Sequence, residues 1–177
     1  LQAAKVDTLQ VKSPSMNKSL EVVVVSPDMA ATEACPVIYL LHGYGGNART
    51  WVGIKPDLPK IADEKGIFFV CPDGKNTWYW DSPLNADVRY ETFISNELVK
   101  YVDSHYKTVA DRKGRAITGL SMGGHGAMWN GLRHSDVFSA AGSTSGGVDI
   151  RPFPKNWEMS VQIGEKAKYP ENWEKYT

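Results

Sequence analysis

The stretch Arg115-Ala-Ile-Thr-Gly-Leu-Ser-Met-Gly-Gly124 decides the reading of this chain. Its centre, Gly119 to Gly123, has the pattern G-x-S-x-G. Residues 115–119 suit a short buried strand, and residues from Met122 to about Arg133 suit a helix. A serine on a sharp strand-to-helix turn is a nucleophile elbow, in which the turn lifts the hydroxyl above the sheet edge. The flanking glycines leave room for a strained backbone and for close packing of strand on helix. Ser121 is therefore the candidate nucleophile. The N–H of the next residue, Met122, is a candidate donor to an oxyanion.

A second segment supports the first. Val37-Ile-Tyr-Leu-Leu41 is a continuous apolar run, as expected of a strand buried on both faces. It leads into His42-Gly-Tyr-Gly-Gly46. A glycine-rich loop after an early strand supplies the second oxyanion donor in such sites. The Tyr44 N–H is preferred, with Gly43 and Gly45 as neighbours. His42 reads as a brace for this loop.

The 177 residues are 42% hydrophobic, enough for one domain with a sizeable core. Twenty basic and 20 acidic side chains cancel, and no polybasic run is present. Nucleic acid and an anionic membrane are therefore not expected partners. Apolar runs are strand-sized, so no transmembrane helix is expected. The two cysteines, Cys35 and Cys71, are read either as buried thiols or as a bridge between neighbouring strands. They and the histidines lack metal-ligand spacing, so no metal or organic cofactor is expected. Leu1-Gln-Ala-Ala4 is rich in small residues. It reads as the end of a removed secretory signal or as an arbitrary edge, which leans slightly towards a secreted or periplasmic protein.

Along the chain, Val6–Lys12 and Leu20–Ser26 read as a hairpin joined by turn chemistry at 13–18. A helix is expected at about Asp57–Lys65, stopped by Gly66. Ile67–Cys71 reads as a second buried strand. An aromatic loop, Asn76–Asn85, follows, and then a helix over Thr92–Tyr106. After the elbow helix comes a strand at Phe138–Ser143. The tail, 149–177, has no strong period. Alternating strands and helices from Val37 to Ser143 predict an α/β fold with a mostly parallel sheet, helices on both faces and a leading antiparallel hairpin.

These residues resemble the esterase D/antigen 85 branch of the α/β-hydrolases. Feruloyl and acetyl-xylan esterases, tributyrin esterases and S-formylglutathione hydrolases belong to that branch. The resemblance is carried by Leu40-Leu-His-Gly-Tyr-Gly-Gly46, Trp78-Tyr-Trp-Asp-Ser-Pro83, Glu97-Leu-Val-Lys-Tyr-Val-Asp103 and Ile117-Thr-Gly-Leu-Ser-Met-Gly-Gly124. It implies a Ser–Asp/Glu–His triad in that chain order, with Ser121 as nucleophile. It also implies an acid and a base from later strands, outside residues 1–177. On this reading the chain is the N-terminal two-thirds of one α/β-hydrolase domain and lacks the last strands. A second C-terminal fragment is then a candidate partner.

The histidines within the chain fit the base poorly. His125 points along the elbow helix, His134 suits the helix C-terminus as a dipole partner, and His105 suits the surface. Asp149 follows the strand after the elbow, a minority position for the acid. Asp73 and Asp81 suit loop bracing or cleft shaping. Trp78 and Trp80 are candidate cleft residues, with Trp51 behind them; Trp157 and Trp173 read as packing residues of a lid-like tail. The resulting expectation is a serine carboxylic-ester hydrolase acting on acylated carbohydrate or small soluble esters. A thioester hydrolase, acyl transfer, and a degenerate hydrolase that only binds are the alternatives. Homo-oligomers are compatible with all of them.

Overall fold

The computed structural model describes residues 4–177 of the chain. The small-residue start read as a signal remnant lies, apart from Ala4, outside the described residues. The hairpin is formed by β1 (Lys5–Ser13) and β2 (Lys18–Ser26). They are followed by β3 (Val37–Leu41), the short α1 (Thr50–Ile54), α2 (Leu58–Lys65) and β4 (Phe68–Pro72). Next come α3 (Tyr90–Thr92), a π-helical turn at Phe93–Glu97 and α4 (Leu98–His105). The elbow joins β5 (Arg115–Leu120) to α5 (Met122–Arg133), and β6 (Ala140–Thr144) follows. The tail carries two short helices, α6 (Met159–Ile163) and α7 (Pro170–Lys175).

The six strands lie in the order β1-β2-β4-β3-β5-β6. β1 pairs with β2, and β2 with β4, antiparallel; β4, β3, β5 and β6 are mutually parallel. This is the mostly parallel sheet with a leading antiparallel hairpin that the alternation predicts.

The period-2 alternation of side chains divides the apolar runs between two cores. Val37, Tyr39 and Leu41 of β3, with Phe68 and Val70 of β4, join Phe93, Leu98, Met122 and Ala127 on one face. Leu40, Phe69 and Cys71 join Val23, Val25, Leu58 and Ala62 on the other. Continuous apolar runs are thus required because both faces carry helices.

Several expectations need correction. Residues 50–54 form a separate helix ahead of Pro56, which lacks the N–H needed to extend it. The helix expected over Thr92–Tyr106 begins at Tyr90 and contains a π turn. In that turn the buried Ser95 hydroxyl donates to Asn130 Oδ1 at 2.7 Å. At its end Glu97 accepts from Ser13 Oγ at 2.6 Å and from the Ser15 N–H at 2.8 Å, which ties the hairpin to the helix. Phe138 does not begin a strand; it packs edge-on against Tyr39, and β6 starts two residues later. β6 is the sheet edge among the described residues, with Ala140, Ala141, Ser143 and Thr144 exposed. The two cysteines are free. No bridge is possible because Cys35 belongs to one core and Cys71 to the core across the sheet.

No helix among the described residues is long and apolar enough to cross a membrane.

Candidate active site

The elbow follows from three small residues. A Cβ on Gly119 would strike the Gly123 carbonyl, and one on Gly123 would strike the Leu41 carbonyl. Only glycine lets α5 start this close to β3 and β5. The turn leaves Ser121 at φ 55° and ψ −116°, a costly conformation for a residue with a Cβ. The Ser121 N–H donates to Thr144 O of β6 at 2.9 Å, which fixes the turn from the neighbouring strand. The residue is exposed, and its hydroxyl makes no hydrogen bond among the described residues.

The glycine loop lies directly against the elbow. A Cβ on Gly43 would sit 3.4 Å from Ser121 Cβ. The loop closes through Gly46 N–H to Gly43 O at 3.0 Å, and Gly45 N–H donates to Asn76 Oδ1 at 2.8 Å. Gly45 is thereby removed as an oxyanion donor. The Tyr44 N–H and the Met122 N–H have no acceptor among the described residues, and Met122 is the first residue of α5, whose N–H points out of the helix.

His42 is the brace of this loop. Its ring is 1% exposed. Nδ1 meets Gly43 O at 2.7 Å, and Nε2 accepts the Gly74 N–H at 2.9 Å. These partners fix the neutral tautomer with the proton on Nδ1. The contact of Nε2 with Asp73 at 3.4 Å is therefore not an ion pair. Asp73 instead braces its own turn, through the Lys75 N–H at 2.8 Å and the Lys75 ammonium at 3.2 Å. Tyr79 completes the bracing by donating its hydroxyl to His42 O at 2.8 Å.

A cleft of about 330 Å³ opens beside Ser121. Trp78, Ile150, Phe153, Trp157 and Met159 give it apolar walls, and Tyr44 and Asp149 stand at its rim. Trp78 lines this cleft and Trp80 does not. Trp78 and Tyr79 both adopt left-handed backbone, φ 59° and 58°, and the turn carries Trp80 inward. Trp80 is fully buried, stacked at 5.9 Å on Trp78 from behind and packed against His125, Trp129 and Tyr176. Trp157, read as packing, is instead 44% exposed and lines the cleft. Trp173 is buried as a packing residue. Trp51 caps the opposite face, donating Nε1–H to Leu41 O at 2.9 Å. Sequence reasoning also missed Phe153 and Ile150; the tail has no periodicity that would reveal a wall.

None of the four histidines bonds to Ser121. His125 faces Trp78, Trp80 and Trp129, with ring centroids 5.2–5.9 Å away, and its Nδ1 is without a partner. Burial there pushes its pKa down to about 4. His134 does more than face a helix end: its Nε2 meets Glu91 Oε2 at 2.8 Å, while Glu91 Oε1 accepts the Trp129 N–H at 2.6 Å. His105 is exposed and stacked on Tyr101. Asp149 is held by Arg151 at 2.9 Å and by the Thr177 hydroxyl at 3.0 Å, and these partners keep its carboxyl well below the usual range. Asp81 accepts from the Thr92 N–H and hydroxyl, bracing the start of the α3–α4 segment. Among the described residues no cluster of His, Cys, Asp and Glu could hold a metal ion.

The esterase Rv1288 of Mycobacterium tuberculosis is 30% identical over 149 residues, covering 80% of this chain and 32% of that protein. An acetyl esterase of Caldicellulosiruptor saccharolyticus is 32% identical over 108 residues, covering 60% of this chain and 40% of its own. A solved ferulic acid esterase superposes with a TM-score of 0.75 at 29% identity, covering 99% of this chain and 71% of that one. MPT51 of M. tuberculosis gives 0.73 at 26%, covering 90% and 57%. The chain spans less than half the length of the curated relatives it matches. The family model described as putative esterase matches residues 13–176, and with the fold and the elbow already described the chain belongs to that family, in the esterase D/antigen 85-like branch of the α/β-hydrolases.

Proposed function

We propose that this chain carries the nucleophile half of a serine carboxylic-ester hydrolase. Ser121 would attack the ester carbonyl and form an acyl-enzyme as the acyl C–O bond breaks, the alcohol leaving with the proton that the general base took from Ser121. The N–H groups of Tyr44 and Met122 would hold the developing oxyanion, and one such donor is typically worth about 10²–10³ in kcat. The base that takes the Ser121 proton, and the acid that orients it, would come from polypeptide other than residues 1–177. A continuation of the chain or a second fragment would supply them. Water would then release the acid.

The observation that carries this reading is the exposed hydroxyl of Ser121, on a strained turn, at the mouth of an apolar cleft beside two unpaired N–H groups. The walls favour an acyl group with a flat apolar body, such as an aryl or arylalkenoyl group, over a formyl group, which would leave Trp78, Phe153 and Trp157 without a contact. The substrate class proposed is an acylated carbohydrate or another small soluble ester, the walls bearing on its acyl group alone.

The test is fluorophosphonate labelling of the protein together with the polypeptide that completes it, whose presence is established first by intact mass. The expected result is one adduct on the peptide containing Ser121, absent in Ser121→Ala, together with hydrolysis of methyl ferulate faster than of a simple methyl ester. Labelling that persists in Ser121→Ala would overturn the assignment of the nucleophile. Equal rates on the two esters would overturn the acyl preference.

A further inference from the structure

The tail segment from Ile150 to Glu158 forms the far wall of the cleft, contributing Ile150, Phe153 and Trp157. Its last two residues, Trp157 and Glu158, both adopt left-handed backbone, φ 52° and 56°. Two consecutive side-chain-bearing residues hold this conformation only when tertiary contacts enforce it. The contacts are specific. Trp78 donates Nε1–H to Trp157 O at 3.0 Å. Glu158 Oε2 accepts two hydrogen bonds, from the Tyr44 hydroxyl at 3.1 Å and from Asn76 Nδ2 at 2.9 Å.

The second bond continues into the glycine loop. Asn76 Oδ1 accepts the Gly45 N–H at 2.8 Å, so the Asn76 amide is polarised from both ends. Glu158 therefore grips the loop twice, through the side chain of Tyr44 and, by way of Asn76, through the backbone of the next residue. The Tyr44 N–H lies between these two grips. It is the group assigned to the oxyanion.

We propose that Glu158 is a positioning residue for acyl transfer at Ser121. Its carboxylate ties the acyl-cleft wall to the oxyanion loop, so that one side chain sets both the width of the cleft and the aim of the Tyr44 N–H. The proposal rests on the assignment of Ser121 and Tyr44 above. Asn76 and Tyr44 act with Glu158 as one unit. A ligand that pushes Trp157 outward would therefore also disturb the oxyanion donor, and a ligand that fits would leave it in place. This couples acyl recognition to rate and not only to affinity.

The test compares wild type with Glu158→Ala and Glu158→Gln by two measurements on the protein together with the polypeptide that completes its site. Amide hydrogen exchange reads the latch without requiring activity. In Glu158→Ala the Gly45 amide and the strap 150–158 should exchange about fivefold faster or more, while β3 and β5 remain unchanged. Glu158→Gln keeps an oxygen that can accept both bonds and should restore most of the protection. The limiting rate of fluorophosphonate labelling at saturating probe reads the positioning. It should fall about tenfold in Glu158→Ala and recover in Glu158→Gln. Unchanged exchange at Gly45 in Glu158→Ala would overturn the latch. Faster exchange with an unchanged limiting rate would overturn the positioning role. If wild type takes no label at Ser121, the nucleophile assignment fails and the positioning role fails with it, while exchange still reports whether the latch exists.

Discussion

Trp78 Nε1–H donates to the carbonyl oxygen of Trp157 at 3.0 Å, across 79 residues of sequence. One tryptophan closes the cleft from the β4 side and the other from the tail, and this bond sets the gap between them. Replacing Trp78 by alanine removes both the wall and the bond. For aryl-acyl esters the KM should rise about tenfold or more, while 4-nitrophenyl acetate should be affected much less. Equal effects on the two substrates would show that Trp78 does not contact the acyl group.

Ser121 at φ 55° and ψ −116° stores strain that a residue without a Cβ would release. Ser121→Gly should therefore stabilise the fold by about 1 kcal/mol while abolishing labelling at that position. Urea denaturation of the variant beside wild type measures it. A destabilised variant would place the strain elsewhere.

Gly123→Ala should have the opposite effect. Its new Cβ meets the Leu41 and His42 backbone carbonyls, which cannot move without separating β3 from α5. A loss of roughly 3 kcal/mol or more is expected, seen as loss of soluble protein or a large drop in urea midpoint. Normal yield and midpoint would mean that the packing is looser than described.

His125 gives the fold a pH dependence. Its pKa is about 4 when folded and its ordinary value is 6.5. Below pH 6.5 the unfolded chain takes up a proton that the folded chain refuses. Stability should therefore fall between about pH 6.5 and 4 and then level off, by roughly 3 kcal/mol in total. The Asp73 carboxyl falls outside this window. Burial pushes it up, but the Lys75 N–H and the Lys75 ammonium hold it below the usual carboxylate range, so its contribution is lost only at lower pH. Unfolding in urea at pH 7.5 and 4.5, for wild type and for His125→Gln, isolates the histidine. Parallel losses in both proteins would remove it as the cause.

The β6 edge gives a fifth expectation. Ala140, Ala141, Gly142, Ser143 and Thr144 carry neither a charge nor a proline to discourage pairing, and four of the five are exposed. Residues 1–177 by themselves should associate with rising concentration, and Gly142→Lys should weaken that association. Sedimentation velocity over a tenfold concentration range measures both. A single monomeric species throughout would count against it.

The parts of this protein that can be read in the sequence are those whose chemistry is local. The glycines around Ser121 and in 43–46 announce close backbone approaches, and the apolar runs of β3 and β4 announce a sheet covered on both sides. The fate of Trp80 could not be read, because it depends on the left-handed backbone at Trp78 and Tyr79, two residues with no intrinsic preference for it. The role of Trp157 was hidden for a similar reason. Its partner is the indole of Trp78, far away in sequence, and the tail has no pattern to signal a wall. His134 likewise looks like a helix terminus until Glu91 is placed beside it.

The separation of Cys35 and Cys71 by the thickness of the sheet has an experimental use. Each thiol is buried, in a different core, and burial pushes Cys71 up to about 12. A thiol reagent can reach either one only when its own layer opens. Pulsed alkylation during unfolding, read by peptide mass, would therefore time the two layers independently, with no added probe. It would tell whether the α2 side and the α5 side of the sheet come apart together or in turn.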